Sequence, residues 1–205
     1  MKSLLSQLEK SKKSKIKAII DSRINDFKKT KSSNEIFQEL CFCILTANFN
    51  AERSIVIQNK LQNKFLTLTE KILAKKLQEL GHRFPNARAK YIVEARRHKD
   101  ILIKLISSKK EYELREWLVK NIKGLGYKES SHFLRNIGYK DLAIIDFHIL
   151  DLLEKNKLII RPKTLSRKKY LETEELLRKI AKKSNLNLAE LDLHLWFSET
   201  GKVLK

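Results

Sequence analysis

Residues that break helices or crosslink the chain are scarce here: the 205 residues include only 5 glycines, 2 prolines and 2 cysteines. The cysteines, Cys41 and Cys43, are separated by one residue, so on a helix they point to different sides and a disulfide between them is not expected. No second cysteine pair is present, and the 5 histidines are scattered. We therefore expect both thiols to pack in a hydrophobic core rather than to bind a metal.

Long apolar runs are missing as well. The stretch LCFCILTA, at residues 40–47, is far too short to span a bilayer. The first residues, MKSLLSQLEKSKK, lack the apolar core and the small-residue cleavage site of a signal peptide. These absences argue against a membrane partner and predict an intracellular protein. Low-complexity linkers and internal repeats are also absent from the sequence.

Acidic residues are few relative to basic ones. The chain has 24 Asp and Glu against 44 Lys and Arg, for a formal net charge of +20 and a pI of about 9.9. The excess is spread along the whole chain, so it is not a basic tail on a neutral domain. A folded protein this cationic usually meets a polyanion, and nucleic acid is the commonest one.

What the sequence has instead is helical periodicity from end to end, and no segment alternates apolar and polar residues long enough to predict a sheet. The predicted fold class is all-α. Residues 139–145 (YKDLAII) are expected to be extended, and Pro162 to mark a break. Caps and breakers predict helices at residues 4–27, 35–47 (after a Ser33 cap), 51–65, 70–80, 87–106, 111–122, 127–137, 147–155, 165–183 and 188–198.

A short segment with two glycines, KGLGYK at residues 123–128, lies between two of these helices. Gly124 and Gly126 permit positive φ angles and close approach of the backbone, and Leu125 would fill the gap between the helices. The next helix then begins with free N–H groups that suit a phosphate. The segment predicts either a plain tight turn or a helix-hairpin-helix, a phosphate clamp that ignores DNA sequence.

Two residues near the hairpin have both a structural and a chemical interpretation. Lys128 is either one solvated lysine among many or, at a helix start, a nucleophile whose amine can form a Schiff base with a sugar C1′. Asp146, in IIDFHI, is either the N-cap of the next helix or a carboxylate that stabilises a cationic sugar. Their occurrence together, eighteen residues apart, favours the chemical interpretation of both.

The pattern G-x-G-x-K, followed by an apolar pair and D-x-H, resembles the helix-hairpin-helix DNA glycosylase superfamily. The resemblance implies that Lys128 attacks the sugar of a flipped nucleotide, that Asp146 assists, and that Gly124, Gly126 and His148 contact the DNA backbone. It also implies a monovalent cation on the main-chain carbonyls of Lys120, Ile122 and Leu125. The branch with an iron–sulfur cluster on C-terminal cysteines is disfavoured because no cysteine follows Cys43.

Three further segments are similar to small archaeal-type, or type 2, 8-oxoguanine glycosylases: LTANFNAERS, NARAKYIVEA and the C-terminal LDLHLWFSETGKVLK. The resemblance implies that Asn48, Arg53 and Arg88 read the cytosine opposite the lesion, and that Lys205 reaches the base pocket. Trp196, Phe49 and Phe84 are expected to line that pocket by stacking or wedging. From the residues alone, Asn48 only stops a helix, the arginines only touch phosphate, and Trp196 only packs in a core.

The prediction is therefore a bifunctional glycosylase and AP lyase that excises 8-oxoguanine opposite cytosine. It needs no cofactor, and as a monomer it binds double-stranded DNA carrying 8-oxoguanine or an abasic site, in a prokaryote-type cytoplasm or nucleoid. A DNA-binding cleft is expected between two helical subdomains, at residues 31–145 (with the hairpin at 118–137) and at residues 1–30 plus 146–205. The alternatives are a relative that removes another damaged or mispaired base, and a non-catalytic helix-hairpin-helix module that binds nucleic acid.

Overall fold

The computed structural model describes all 205 residues, and every regular element in it is a helix, which confirms the predicted all-α class. None of the helices combines the length and the apolar character needed to cross a membrane. A 3₁₀ turn spans Arg96–His98. The helices are α1 (Lys2–Lys12), α2 (Ile16–Lys28), α3 (Ser33–Thr46), α4 (Ala51–Leu61), α5 (Lys64–Thr67), α6 (Glu70–Glu79), α7 (Pro85–Ala95), α8 (Lys99–Ser108), α9 (Glu111–Asn121), α10 (Tyr127–Asn136), α11 (Phe147–Lys155), α12 (Arg167–Lys183) and α13 (Leu188–Thr200).

Three of the predicted helices are interrupted. Residues 4–27 form α1 and α2, because the Ser14 hydroxyl donates to the Ser11 carbonyl and accepts the N–H of Ile16, in competition with helical bonds. Residues 51–65 form α4 and α5, since Gln62 has a positive φ of 43°. Residues 87–106 contain the 3₁₀ turn. The apolar period continues through each break, so periodicity predicts one helix where there are two.

The cap of α3 is Ser32, and the prediction of Ser33 is wrong. The Ser32 hydroxyl accepts the N–H of Glu35 at 3.3 Å, and the Glu35 carboxylate accepts the N–H of Ser32 at 2.7 Å. This reciprocal pair is a capping box, which requires the serine to precede the glutamate by three residues. Ser32 meets that spacing and Ser33 does not.

The chain forms two compact units, called unit 1 (Met1–Lys29 with Gly138–Lys205) and unit 2 (Thr30–Ile137). Unit 2 is built around α3, which contacts α4, α5, α7, α8 and α10. Its apolar run is buried over residues 40–46, and Cys41 and Cys43 are free thiols within it, as predicted. Burial raises the pKa of Cys41 well above its ordinary value. A helix this central fixes the elements that surround it.

Unit 1 is built around α13, which contacts α1, α2, α11 and α12. Ile20, Ile24 and Phe27 of α2 pack against Ala189 and Leu193 of α13 in one buried cluster. Leu4 and Leu8 of α1 are also buried, at 1% exposure each. The N-terminal segment and the C-terminal segment therefore share a single hydrophobic core.

Candidate active site

The predicted helix-hairpin-helix is present, with α9 and α10 joined by residues 122–126. Leu125 in this turn is buried at 5% exposure, as expected for a residue that fills the hairpin. Gly124 has a φ of +88°, and a Cβ built on it would lie 2.7 Å from Cδ2 of Tyr91. Glycine is thus required at 124 for its left-handed backbone and for the close packing of a tyrosine from α7.

Gly126 does not adopt the positive φ that glycine permits. Its backbone is extended, with φ −94° and ψ −167°. Its N–H donates to Oε2 of Glu129 at 3.1 Å, and a Cβ at 126 would lie 3.2 Å from that same oxygen. The small residue therefore lets the Glu129 carboxylate fold back over the start of α10, as in one half of a capping box.

Lys128 is the second residue of α10. Its side chain is 26% exposed, and its Nζ lies 3.6 Å from Oε1 of Glu129. The helix beneath it is tied to α9, because the buried Arg115 donates from Nη1 to the Ser131 hydroxyl at 3.2 Å. A partly exposed amine thus stands on a fixed helix end, with no tight hydrogen bond that an attack on an electrophile would have to break.

Asp146 is the N-cap of α11, and its Oδ1 accepts the N–H of Ile149 at 3.0 Å. The preceding residues 139–145 are not helical, in agreement with the extended segment predicted there. α12 satisfies their buried backbone groups: the Tyr170 hydroxyl donates to the Ala143 carbonyl at 2.7 Å, and the Glu174 carboxylate accepts the Ala143 N–H at 2.9 Å. Asp146 is therefore held in place, and Oδ2 is not used by the cap.

His148 and Trp196 are neighbours within unit 1. Their rings meet edge to face, with centroids 5.2 Å apart and an interplanar angle of 88°. The indole Nε1 of Trp196 is buried and has no hydrogen-bond acceptor in the chain. The adjacent Phe147 is 58% exposed, although it is large and apolar. The exposed Phe147 next to Asp146 and the indole N–H without an acceptor are features that a bound ligand would use.

The segment after α13 leads to Lys205. Gly201 ends the helix in the left-handed conformation, with φ 71°, which is a common way for a helix to stop. Val203 then packs against the cluster formed by α2 and α13. Lys205 therefore follows a segment that is anchored to the core of unit 1.

Five residues predicted to contact DNA lie close together in unit 2, and we call them the aromatic–arginine cluster: Asn48, Phe49, Arg53, Phe84 and Arg88. The Arg53 guanidinium lies over the Phe49 ring, with Cζ 5.4 Å from its centroid. The Arg88 guanidinium is 5.5 Å from the Phe84 ring and 5.8 Å from the Tyr91 ring. Tyr91 also packs on Gly124, so the cluster is continuous with the hairpin.

Two members of the cluster have clear structural roles. Arg88 is buried at 8% exposure, and its Nη2 donates to the Ala47 carbonyl at the end of α3. Burial lowers the pKa of its guanidinium, which nonetheless stays charged at neutral pH. Asn48 has a positive φ of 56°, a conformation that asparagine adopts more readily than most residues, so it ends α3. Arg53, by contrast, is exposed.

Three residues that the sequence did not single out belong to these arrangements: Tyr91, Glu129 and His82. Glu129 had a readable signal, since a glutamate three residues after the residue preceding a helix is the spacing of a capping box. The buried His82 packs against Phe49, with ring centroids 4.1 Å apart. Its Nε2 contacts the carbonyl of Leu45, 37 positions earlier in the chain, and no local pattern reveals that contact.

No group of three or more His, Cys, Asp or Glu side chains is arranged to hold a metal ion. The only cation predicted from the resemblance uses main-chain oxygens of the hairpin. The Ile122 carbonyl accepts the N–H of Leu125 at 3.3 Å, which leaves it a second lone pair. Carbonyl oxygens are suitable ligands for a hard cation, so the donor set fits, and the cation stays a prediction.

The chain is similar over nearly its whole length to known proteins. The 8-oxoguanine DNA glycosylase/AP lyase of Methanocaldococcus jannaschii is 57% identical over 205 residues, which cover 98% of this chain and 99% of the relative. A crystal structure of the glycosylase/lyase from that organism, in complex with 15mer DNA containing 8-oxoguanine, has a TM-score of 0.96 at 56% identity, covering 99% and 100% of the two chains. The 8-oxoguanine DNA glycosylase of Thermotoga maritima has a TM-score of 0.94 at 42% identity, covering 100% and 99%.

A family model described as 8-oxoguanine DNA glycosylase matches residues 20–186, a range that includes most of α2, all of α3 to α12 and the whole hairpin. The relatives align with this chain over almost their full length. The resemblance drawn from the hairpin and its flanking segments is confirmed. The chain belongs to the helix-hairpin-helix 8-oxoguanine DNA glycosylase family.

Proposed function

We propose that this chain excises 8-oxoguanine from double-stranded DNA and then cuts the strand at the resulting abasic site. One observation carries the proposal: Lys128 stands on the first turn of α10, directly after the Gly124–Gly126 turn, in a chain of this family. The hairpin supplies the phosphate clamp and the lysine supplies the amine. The net charge of +20 supports association with DNA.

The chemistry assigned to Lys128 is a covalent displacement at the sugar. Its amine nitrogen bonds to C1′ of a flipped nucleotide while the C1′–N9 bond breaks, and the base leaves with the bonding electrons and takes up a proton. The sugar ring then opens to a protonated Schiff base. Loss of a proton from C2′ breaks the C–O bond to the 3′ phosphate, and the strand is cut by β-elimination.

Asp146 is proposed to supply the carboxylate that stabilises the cationic sugar as the glycosidic bond breaks. The N-cap bond fixes its orientation through Oδ1, and Oδ2 stays available for the substrate. His148, two residues later in the same helix turn, is proposed to contact the DNA backbone. The Asp146 side chain thus serves both as the N-cap of α11 and as the proposed catalytic carboxylate.

The remaining site assignments belong to the same proposal and rest on the resemblance to the family. Phe49, Phe84, Trp196 and Lys205 are proposed to hold the flipped base, which an aromatic group stabilises by stacking worth roughly 1–3 kcal/mol. The Trp196 indole N–H, which has no acceptor in the chain, supports a polar contact with that base. The other proposed contacts are those of Asn48, Arg53 and Arg88 with the opposite cytosine, those of Gly124 and Gly126 with phosphate, and those of a monovalent cation with the carbonyls of Lys120, Ile122 and Leu125.

The proposed partner is DNA that carries 8-oxoguanine or an abasic site, bound by a monomer. The proposed location of the reaction is the cytoplasm or nucleoid of a prokaryote-type cell. No redox or organic cofactor takes part in the steps above, because the amine, the carboxylate and the leaving base account for every bond made and broken.

The test is borohydride trapping on duplexes that contain 8-oxoguanine opposite cytosine, with guanine as the undamaged control. We expect a covalent adduct with the lesion duplex, and none after Lys128→Gln. Lys123→Gln is the matched control, since Lys123 lies in the same hairpin, is 63% exposed and pairs with Glu94. An adduct that survives Lys128→Gln would move the nucleophile to another amine.

The same assay separates the two alternatives. An adduct that forms on an oxidised pyrimidine or a mispaired base, and not on 8-oxoguanine, would leave the chemistry intact and replace the substrate. Binding without any adduct, with steep salt dependence and no preference for damage, would make the hairpin a phosphate clamp alone.

A further inference from the structure

His82 occupies the turn between α6 and α7 and is buried, with 4% exposure. The backbone N–H of Phe84 donates to its Nδ1 at 3.0 Å, so Nδ1 carries no hydrogen. The ring hydrogen therefore lies on Nε2, which donates to the Leu45 carbonyl of α3 at 3.1 Å. These two partners admit one species only, the neutral imidazole with hydrogen on Nε2.

This imidazole contacts both phenylalanines of the aromatic–arginine cluster. It stacks against the Phe49 ring, with an interplanar angle of 34°, and accepts the N–H of Phe84. Arg88 binds the same end of α3, at the Ala47 carbonyl, two residues after the carbonyl that His82 binds. The end of α3 and the start of α7 are thus joined through one buried ring.

We propose that His82 is a positioning residue whose neutral imidazole sets the places of Phe49 and Phe84 against a flipped 8-oxoguanine nucleotide. His82 itself touches no substrate. The inference rests on the proposed function, because it assumes that the two phenylalanines contact the extruded base or fill its place in the stack. His82 was not among the predicted pocket residues, and the proposal gives it control over the placement of Phe49 and Phe84 in that pocket.

The charges around the ring oppose its protonation. Burial lowers the pKa of His82, Arg88 and Arg53 lower it further, and the hydrogen bond to Leu45 acts in the opposite direction. Arg53 faces the ring from α4 and Arg88 from α7, whereas α3 presents the Leu45 carbonyl and α6 presents the Leu77 carbonyl to the His82 backbone. Protonation would put a hydrogen on Nδ1 against the N–H of Phe84, so acid must break that contact.

The first experiment uses the free protein. Nitrogen-15 NMR of the imidazole should show the tautomer with hydrogen on Nε2, and its titration midpoint should lie below the ordinary value of 6.5. Fluorine NMR of protein labelled with fluorophenylalanine should show the Phe49 and Phe84 signals moving with the same midpoint; Phe49→Leu and Phe84→Leu assign the signals. Signals that stay still while His82 titrates, or a ring with hydrogen on Nδ1, would overturn the proposal.

The second experiment measures two reactions of the same protein. His82→Asn keeps an acceptor near the Nδ1 position but lacks the ring, and His82→Phe keeps a ring but lacks both hydrogen bonds. Each should slow single-turnover excision of 8-oxoguanine by about a hundredfold, while trapping on a preformed abasic site changes by no more than about threefold. His98→Asn, at a histidine whose ring contacts Trp117 in the same unit, should leave both rates unchanged.

The pH dependence gives a third readout. In the unsubstituted chain, excision relative to abasic-site trapping should fall below the His82 midpoint, and His82→Asn should abolish that acid limb. Equal losses on both substrates, or losses that follow the melting temperature, would reduce His82 to a residue of the fold. If the unsubstituted chain removes no 8-oxoguanine, the proposed function fails, and the fluorine signals still decide whether His82 positions the two rings.

Discussion

Two helix N-termini, those of α10 and α11, carry the two proposed catalytic residues, and they are capped differently. At α11 the cap is Asp146 itself, through its bond to the Ile149 N–H. At α10 the carboxylate that folds back over the helix start belongs to Glu129, and Lys128 takes no part in the cap. One helix thus uses a single side chain for stability and chemistry, and the other divides the two tasks between neighbours.

The division at α10 predicts the largest effect on activity with the smallest effect on the fold. Lys128→Gln should eliminate the borohydride-trapped adduct, since no amine then remains at that position. The free energy of unfolding should change by less than about 0.5 kcal/mol, because the lost contact is a loose, partly exposed ion pair. Denaturant unfolding monitored by circular dichroism measures the change in the free energy of unfolding. A marked loss of stability would mean that Lys128 is also structural.

At α11 the two tasks must be separated by a pair of substitutions. Asp146→Asn keeps an oxygen that accepts the Ile149 N–H, so stability should hold while base release slows by about 10²–10⁴-fold. Asp146→Ala should slow it similarly and also lower the free energy of unfolding by about 0.5–2 kcal/mol. Single-turnover excision and denaturant unfolding supply the two measurements. Unchanged excision in the Asn variant would leave Asp146 as a cap alone.

Alanine substitutions at the two glycines before α10 should differ in their effects on stability and DNA binding. Gly124→Ala puts an L residue at φ +88° and a Cβ against Tyr91, so it should destabilise by more than about 1 kcal/mol and weaken DNA binding. Gly126→Ala has an ordinary backbone conformation and meets only the Glu129 carboxylate, which can shift, so its effect should be smaller. Thermal unfolding and fluorescence anisotropy with duplex DNA test the order. The reverse order would show that the turn relaxes around residue 124.

The smallest effect on activity is expected at Glu129. Glu129→Ala removes the acceptor of the Gly126 N–H and should lower the free energy of unfolding by about 1 kcal/mol, whereas Glu129→Gln keeps an amide oxygen for it. Both variants should still form the trapped adduct, because Lys128 stays on α10. Loss of the adduct in Glu129→Gln, at unchanged stability, would mean that the carboxylate takes part in the chemistry as well.

The residues that sequence reasoning found are those whose signals are local. The hairpin turn and the Asp146 cap each occupy a few consecutive positions, and the helical period predicted the all-α class without other information. The cap of α3 was misplaced by one residue, although the three-residue spacing from Ser32 to Glu35 indicates a capping box.

The features that sequence reasoning did not predict depend mainly on contacts between distant segments. His82 binds a carbonyl 37 positions earlier in the chain. Tyr91 packs on a glycine that belongs to a different pair of helices. The break at Gln62 is a change of backbone conformation at a single residue, with φ 43° and ψ −123°. Such features are decided by packing, which a periodic pattern does not encode.

The burial of both thiols has a practical consequence for labelling. Cys41 and Cys43 have 0% exposure, and the raised pKa of Cys41 keeps it in the unreactive thiol form. Maleimide reagents should therefore ignore the folded chain until a cysteine is introduced on its surface. Lys123, exposed in the hairpin, is a suitable position for that change. A single dye there would report the approach of DNA to the hairpin without removing any native residue of the core.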